Sequence, residues 1–411
     1  MDTYPIPALE RAMKIQEVIL KAMSGQIYWF QAAEILGVSA RQMRRWKNRY
    51  EYYGYDGLFD RRRRSPSPRR MPIDLAEKVL RLYREKYFDF NVLHFCQKLA
   101  QEHGIKISYN WVRLALQTAG LTVKKSRKEF HRKKRERKPL AGMMLHMDGS
   151  PHDWFGNGTQ YDMVTICDDA TNEIYDLMLV KEEDSHTCMR LIKNVVERKG
   201  IFCSLYTDRA KHFFLTPKAG ADVDKDHRTQ LGRALNELSI QQIAAYSPQA
   251  RGRSERLNET LQGRIPQELR LRGIKTLPQA NHYLKTIYRK EHNKRFITKS
   301  QLSGSAFVAL PKTADLNRIF SFKYERTVNN DNTVSYNNRL FQLSPTDQRL
   351  SFAKCRVNVF EHLDGSVTIG FGPHILGYYS PKTMAFCPQN RLLHTETKKT
   401  HNKKADASLV K

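Results

Sequence analysis

Two apolar runs in the middle of the chain each end in an acid. One is Met143-Met144-Leu145-His146-Met147-Asp148 and the other is Ile201-Phe202-Cys203-Ser204-Leu205-Tyr206-Thr207-Asp208. A third acid, Glu255, follows the loop Ser247-Pro248-Gln249-Ala250-Arg251-Gly252-Arg253-Ser254 and opens the helical run RLNETLQGRIPQELRLRG. Carboxylate oxygens are the donors that hard divalent cations take. Residues 141–180 hold seven acids and no lysine or arginine, inside a chain of net charge +28. A metal-binding catalytic core joined to a DNA-gripping front end would show this contrast. Asp153, Asp162, Asp168 and Asp169 are read as capped or solvated carboxylates instead.

The elements that must position these acids can be read from the pattern. The run at 143–150 is a buried strand, and Asn157-Gly158 marks a hairpin. Residues 160–168 and 173–180 alternate as two further strands, 185–198 form an amphipathic helix behind a serine cap, and Ile240–Ala245 is a fifth short strand. Three antiparallel strands, a helix, two strands and a helix match the ribonuclease-H-like fold. The overall class is multidomain α+β.

The segments MDGSPHDW around Asp148, LYTDRAKHF around Asp208 and SPQARGRSERLNETLQ around Glu255 resemble the integrase core of insertion-sequence transposases and retroviral integrases. Within this DDE superfamily the likeness is to ISNCY-type transposases. The third segment carries most weight, because P-Q-x-x-G-x-x-E leads into the family's glutamate. The resemblance implies a catalytic and metal-binding triad of Asp148, Asp208 and Glu255. It implies two Mg²⁺ ions, with Mn²⁺ able to substitute, and phosphodiester chemistry without a protein nucleophile. It also implies a homo-oligomer bridging two DNA ends and a bacterial, nucleoid-associated location. The chain departs from the family at Arg209-Ala210, where Asn-Gly often follows the acid, and at Glu259, where a base is common. The interval from Asp208 to Glu255 is long at 47 residues, and residues 215–235 are read as an insertion. The retroviral zinc-binding module is absent. Arg251, Arg253, Arg256 and Arg264 surround Glu255 in sequence and could hold phosphates. His152 and His212 are read as structural or DNA-contacting, not as metal ligands.

The excess positive charge sits in front: residues 1–140 carry +17, residues 141–310 carry +4 and residues 311–411 carry +7. Residues 8–23 have helical apolar spacing. Gly37 can close a helix in the left-handed region and Ser39 can cap the next, from about Ala40 to Tyr50. Met43, Trp46 and Tyr50 fall on one face. The basic and amide side chains Arg41, Gln42, Arg44, Arg45, Lys47 and Asn48 are the expected DNA contacts of this helix-turn-helix. Arg61, Arg62, Arg63, Arg64, Arg69 and Arg70 form a Ser/Pro-broken linker suited to a minor groove. Helices at 74–87 and 92–103, then one capped by Ser108, make a second helix-turn-helix-like unit, either a second DNA reader or a plain three-helix domain; His94, Cys96 and His103 are too few for a zinc set.

The expected domains are 1–60, a helix-turn-helix; 61–72, the arginine linker; 73–123, the second helical unit; 124–138, a basic linker; and 139–310, the core with its insertion at about 213–235. After them, 311–385 is expected as a small β-barrel, with a hairpin turn at Asp364-Gly365, and 386–411 as a disordered basic tail. Six scattered cysteines without a CxxC pair indicate neither a disulfide framework nor a zinc knuckle and fit a reducing cytoplasm. No apolar run reaches the roughly 18–20 residues a membrane span needs. The reading is a DNA transposase acting on double-stranded DNA. It would bind the terminal inverted repeats of its element, cut 3′ ends and join them to target DNA. The alternatives are a DNA-binding regulator with an inactive core, a nuclease of similar fold that only hydrolyses, and an RNA-binding protein.

Overall fold

The computed structural model describes residues 6–59, 71–124, 136–215, 224, 227–246, 252–346 and 349–381. The chain divides into two compact units, Met1–Leu82 and Tyr83–Lys411.

The first unit opens with helices α1 (Ile6–Met23), α2 (Trp29–Ile35) and α3 (Ala40–Tyr53). Ile15, Ile19 and Ala22 recur at steps of three and four, so α1 turns one apolar face onto Ala32, Ala33, Met43 and Trp46. Between α2 and α3, Gly37 takes φ +60°, a conformation that glycine adopts without a Cβ penalty. Ser39 Oγ then accepts the Gln42 N–H at 3.3 Å and starts α3 where the sequence places it. The helix runs three residues past the expected Tyr50.

Helix α4 (Ile73–Glu85) crosses from the first unit into the second. It is followed by α5 (Val92–Glu102) and α6 (Tyr109–Thr118). Asn91 and Ser108 cap these two helices, accepting from the N–H groups of His94 and Trp111.

Next comes the core: β1 (Leu145–His152), β2 (Tyr161–Asp168), β3 (Ile174–Val180), α7 (Ser185–Lys199), β4 (Ser204–Thr207), α8 (Gln230–Glu237) and β5 (Gln241–Ala244). Helices α9 (Gly252–Gln262), α10 (Ile265–Leu271), α11 (Leu277–Tyr283) and α12 (Arg289–Phe296) complete it, the last two joined through a π-helical turn. The sheet order is β3-β2-β1-β4-β5. β1–β2 and β2–β3 are antiparallel, whereas β1–β4 and β4–β5 are parallel. This is the arrangement expected of a ribonuclease-H-like core. Side chains alternate across the sheet. Leu145, Met147, Val164 and Ile166 face α7 and α8, while Met163, Cys167, Leu177 and Leu179 face α9–α12. The stretch set aside as an insertion ends in α8, whose Leu231, Ala234 and Leu235 are fully buried in the first of these layers. Its polar lead-in hides the amphipathic turn that follows.

A buried charge cluster fastens α5 to α10. Glu268 accepts from His94 Nε2 at 2.7 Å and Lys98 Nζ at 2.9 Å, and pairs with Arg272. Burial by itself would raise the Glu268 pKa, but His94 and Lys98 hold the carboxyl well below the ordinary range. Asn91 donates to the Gly263 carbonyl at 3.0 Å, and Arg270 pairs with Asp89. His94 is therefore a buried structural residue.

Beyond a short helix α13 (Leu316–Ile319) lie β6 (Phe322–Thr327), β7 (Thr333–Tyr336), β8 (Arg339–Gln342), β9 (Arg356–Glu361), β10 (Val367–Phe371) and β11 (His374–Tyr379). β9 and β10 are antiparallel, and Asp364 accepts from the Ser366 backbone and hydroxyl in the turn between them. The expected barrel is not what these strands form. Four of them make an open sheet in the order β11-β10-β9-β6, and β7–β8 pair only with each other. Closure requires first and last strands to pair. Here the ribbon instead shares an apolar core with the sheet through Val334, Phe341, Val357 and Ile369. Among the described residues no helix is long and apolar enough to cross a membrane. The arginine linker, most of the basic linker and the tail lie outside the described residues.

Candidate active site

The sequence places both acids at strand ends; in the structure Asp148 lies in the middle of β1, which runs on to His152, and Asp208 directly follows β4. In the β1–β4 ladder Leu145 faces Leu205 and His146 faces Tyr206. Asp148 comes two residues past this register on β1 and Asp208 two residues past it, just beyond the end of β4, so the two acids follow the same pair of adjacent parallel segments. Asp148 is buried and Asp208 half-buried. Asp208 Oδ1 accepts the Ala210 N–H at 3.0 Å, which fixes the chain reversal after β4.

Helix α9 lies along β1. Asn258 Nδ2 donates to Asp148 Oδ2 at 2.9 Å, and Gln262 Nε2 donates to Ser150 Oγ at 2.8 Å. Asn258 and Gln262 are one turn apart, on the face that looks at the sheet. Glu255 stands one turn before Asn258, in the first turn of α9, and is exposed. Asn258 is the residue that sequence reasoning missed. Its position three residues after Glu255 was the available signal.

The start of α9 is anchored from below. Arg253 pairs with Asp169, which follows β2 directly and is fully buried. Asp169 also accepts from His146 Nε2 and from the Lys138 N–H, both at 2.7 Å. Burial alone would raise the Asp169 pKa; the hydrogen bonds from His146, Arg253 and Lys138 carry it far below the usual carboxylate range. Arg253 was expected to hold DNA phosphate. Its Nη1 pairs with Asp169, because a buried carboxylate needs a partner. Arg264 is likewise buried, donating to Gln97 Oε1 at 2.8 Å.

Asp168 caps the turn after β2, accepting from Gly142, Ala170 and Thr171 N–H groups. Asp153 accepts from Asn157 and Gly158 N–H groups, and Asp162 from that of Glu183. All three have backbone work to do, as the sequence reading has it.

On α3, Arg41, Arg44, Arg45 and Asn48 are exposed, while Gln42 and Lys47 are half-buried. Lys47 lies over the Trp29 ring at 5.0 Å and 3.6 Å from Glu51. Arg61, Arg62, Arg63, Arg64, Arg69, Arg70 and Arg251 lie outside the described residues.

A helix-turn-helix domain model matches residues 16–66, and a homeodomain-like domain model matches residues 42–116. Over 372 residues the chain is 29% identical to the provisionally named transposase y4bF of Sinorhizobium fredii (strain NBRC 101917 / NGR234), covering 90% of this chain and 80% of that one. It is 28% identical to the transposase for insertion sequence IS1202 of Streptococcus pneumoniae, covering 83% of this chain and 80% of the relative. The resemblance to insertion-sequence transposases holds. The likeness runs through helix-turn-helix DNA-binding domains and an integrase-like core alike. The catalytic core domain of HTLV-2 integrase, solved with magnesium, aligns at 14% identity and a TM-score of 0.27, covering 36% of this chain and 89% of that one.

Proposed function

We propose that the chain is a DNA transposase that binds the terminal inverted repeats of its element, cleaves 3′ ends and joins them to target DNA. The observation that supports this reading is the parallel β1–β4 register leading to Asp148 and Asp208, with Asn258 of α9 bonded to Asp148 one turn after Glu255. The donor set fits hard divalent cations, being all oxygen. Asn258 Oδ1 fits as well: it is out of solvent with no hydrogen-bond partner among the described residues, leaving an acceptor for a cation or its water. Asp148, Asp208 and Glu255 would hold two Mg²⁺ ions, or Mn²⁺ in their place. When bound, such ions activate the attacking oxygen and neutralise charge on the leaving one.

The chain's own residues set the geometry. Asn258 orients the Asp148 carboxylate by donating to one of its oxygens. The Arg253–Asp169 pair holds the start of α9, and so Glu255, over β1. In the first step water attacks the phosphorus, the P–O3′ bond breaks and the element end leaves as a free 3′-hydroxyl. In the second, that hydroxyl attacks a target phosphodiester, whose own 3′ oxygen departs. Neither step needs a protein nucleophile. Arg41, Gln42, Arg44, Arg45, Lys47 and Asn48 on α3 serve end recognition, and Arg61, Arg62, Arg63, Arg64, Arg69, Arg70 and Arg251 add phosphate contacts. A homo-oligomer would bring the two ends together.

The test is end binding and strand transfer with a pre-cut 3′-hydroxyl oligonucleotide carrying the inverted repeat that flanks the gene. Asp148→Asn, Asp208→Asn and Glu255→Gln should each reduce joining to background while retaining end binding. Undiminished joining in all three variants would remove the triad. End binding without any joining by the unaltered chain would favour a regulator.

A further inference from the structure

Glu183, Cys188 and His212 meet beside the paired acids, although no motif links them. Glu183 lies between β3 and α7, Cys188 in the first turn of α7, and His212 four residues past Asp208. Their donor atoms all lie within 4.8 Å of one another. Glu183 Oε1 is 3.6 Å from Cys188 Sγ and 3.4 Å from His212 Nε2.

These two edges have the lengths of a zinc tetrahedron. With Zn–S about 2.3 Å and Zn–N and Zn–O about 2.1 Å, tetrahedral angles give an S–O edge of about 3.6 Å and an N–O edge of about 3.4 Å. The polar environment also lacks something. His212 Nε2 is out of solvent and makes no hydrogen bond among the described residues, its approach to Glu183 lacking hydrogen-bond geometry. Cys188 is completely buried, whereas the side chains of Glu183 and His212 keep 15% and 17% of their surface, so a cation has a way in.

The cluster is separate from the triad. Asp148 accepts from α9 on one face of β1, and the next residue, Gly149, looks to the other. A Cβ on Gly149 would collide with the Glu183 carboxylate, so Glu183 sits on the α7 face. From sequence His212 reads as a structural or DNA-contacting residue; Glu183 and Cys188 join it only through the fold.

We propose that Glu183, Cys188 and His212 form a binding site for one Zn²⁺ ion with a fourth position left to water. A carboxylate, a thiolate and a neutral imidazole suit this borderline-soft cation better than Mg²⁺. Binding sends the Cys188 S–H proton to solvent and breaks no other bond. The ion ties the segment carrying Asp208 to the start of α7. It stands independently of the proposed triad chemistry.

Full-length protein, stripped with a chelator, should be titrated with Co²⁺ and followed by absorption. One equivalent should produce a thiolate-to-cobalt charge-transfer band, displaced by one equivalent of Zn²⁺. Cys188→Ser should abolish the band, His212→Gln should abolish or grossly weaken it, and Asp148→Asn and Asp208→Asn should keep it. Circular dichroism confirms that each variant is folded; His212 is partly exposed, so H212Q decides if C188S unfolds. Absence of the band in the unaltered protein, or its survival unchanged in H212Q, overturns the site and leaves a hydrogen-bonded cluster.

Discussion

Helices α2–α3 and α5–α6 use the same local devices. Each second helix starts on a serine cap, Ser39 or Ser108, and each preceding turn contains a left-handed glycine, Gly37 or Gly104. Their surfaces diverge. α3 carries Arg41, Arg44, Arg45, Lys47 and Arg49, whereas α6 carries Arg113 alone. α5 is held to the core by His94 and Lys98, both buried on Glu268. Two hairpins built by one local recipe are thus given different work by what lies outside the recipe. One displays positive charge; the other buries it.

The largest effect should come from breaking the buried cluster. Glu268→Ala takes the buried carboxylate from His94, Lys98 and Arg272 and leaves Lys98 the more exposed Glu102 at 3.1 Å, and breaking such a buried cluster costs up to about 3–5 kcal/mol. Urea unfolding should show it, with Glu268→Gln less affected. An unchanged midpoint for E268A would mean that α5 is not fastened through this residue. Next in size is DNA binding. Arg44→Ala and Arg45→Ala should each cost about 1–3 kcal/mol if they read base edges, measured as end-DNA affinity at fixed salt. Arg113→Ala should cost far less, and equal losses would erase the contrast between α3 and α6.

The smallest effect is in pH. Burial lowers the His94 pKa against the pull of Glu268, and pushes His292 from 6.5 down to about 3. The unfolded chain binds protons that the folded chain refuses, so stability is full above pH 6.5 and is lost as pH falls below it. One unit below, the loss from His292 is about 1.4 kcal/mol. Residues 6–59 contain no histidine. Hydrogen exchange, corrected for intrinsic rates, should show protection falling in α10 and α12 but not in α1–α3. Parallel losses in both sets would contradict this assignment.

Much of the candidate site was legible because its signals are local. Asp148 and Asp208 end apolar runs, and the P-Q-x-x-G-x-x-E segment announces Glu255. The caps at Ser39 and Ser108 depend on a hydrogen bond three residues away. Other features failed the same test. α8 is hidden in the stretch read as an insertion, because the polar residues before it outnumber its four buried positions. The barrel was inferred from period-two alternation, which reports burial but not which edges pair. The Arg253–Asp169 pair has no local signal, because Asp169 lies 84 residues earlier.

By itself the chain of residues determined most of the segments that become helices and strands and which acids lie in or directly after β1 and β4, since these follow from side-chain period and caps within one or two turns. Tertiary structure alone decided the pairing of β1 with β4, the partners of Arg253 and Glu268, and the meeting of Glu183 with Cys188 and His212. Each of those depends on burial and on distances between segments remote in sequence, where the free energy of a charge or a thiol is set by neighbours that no local pattern names.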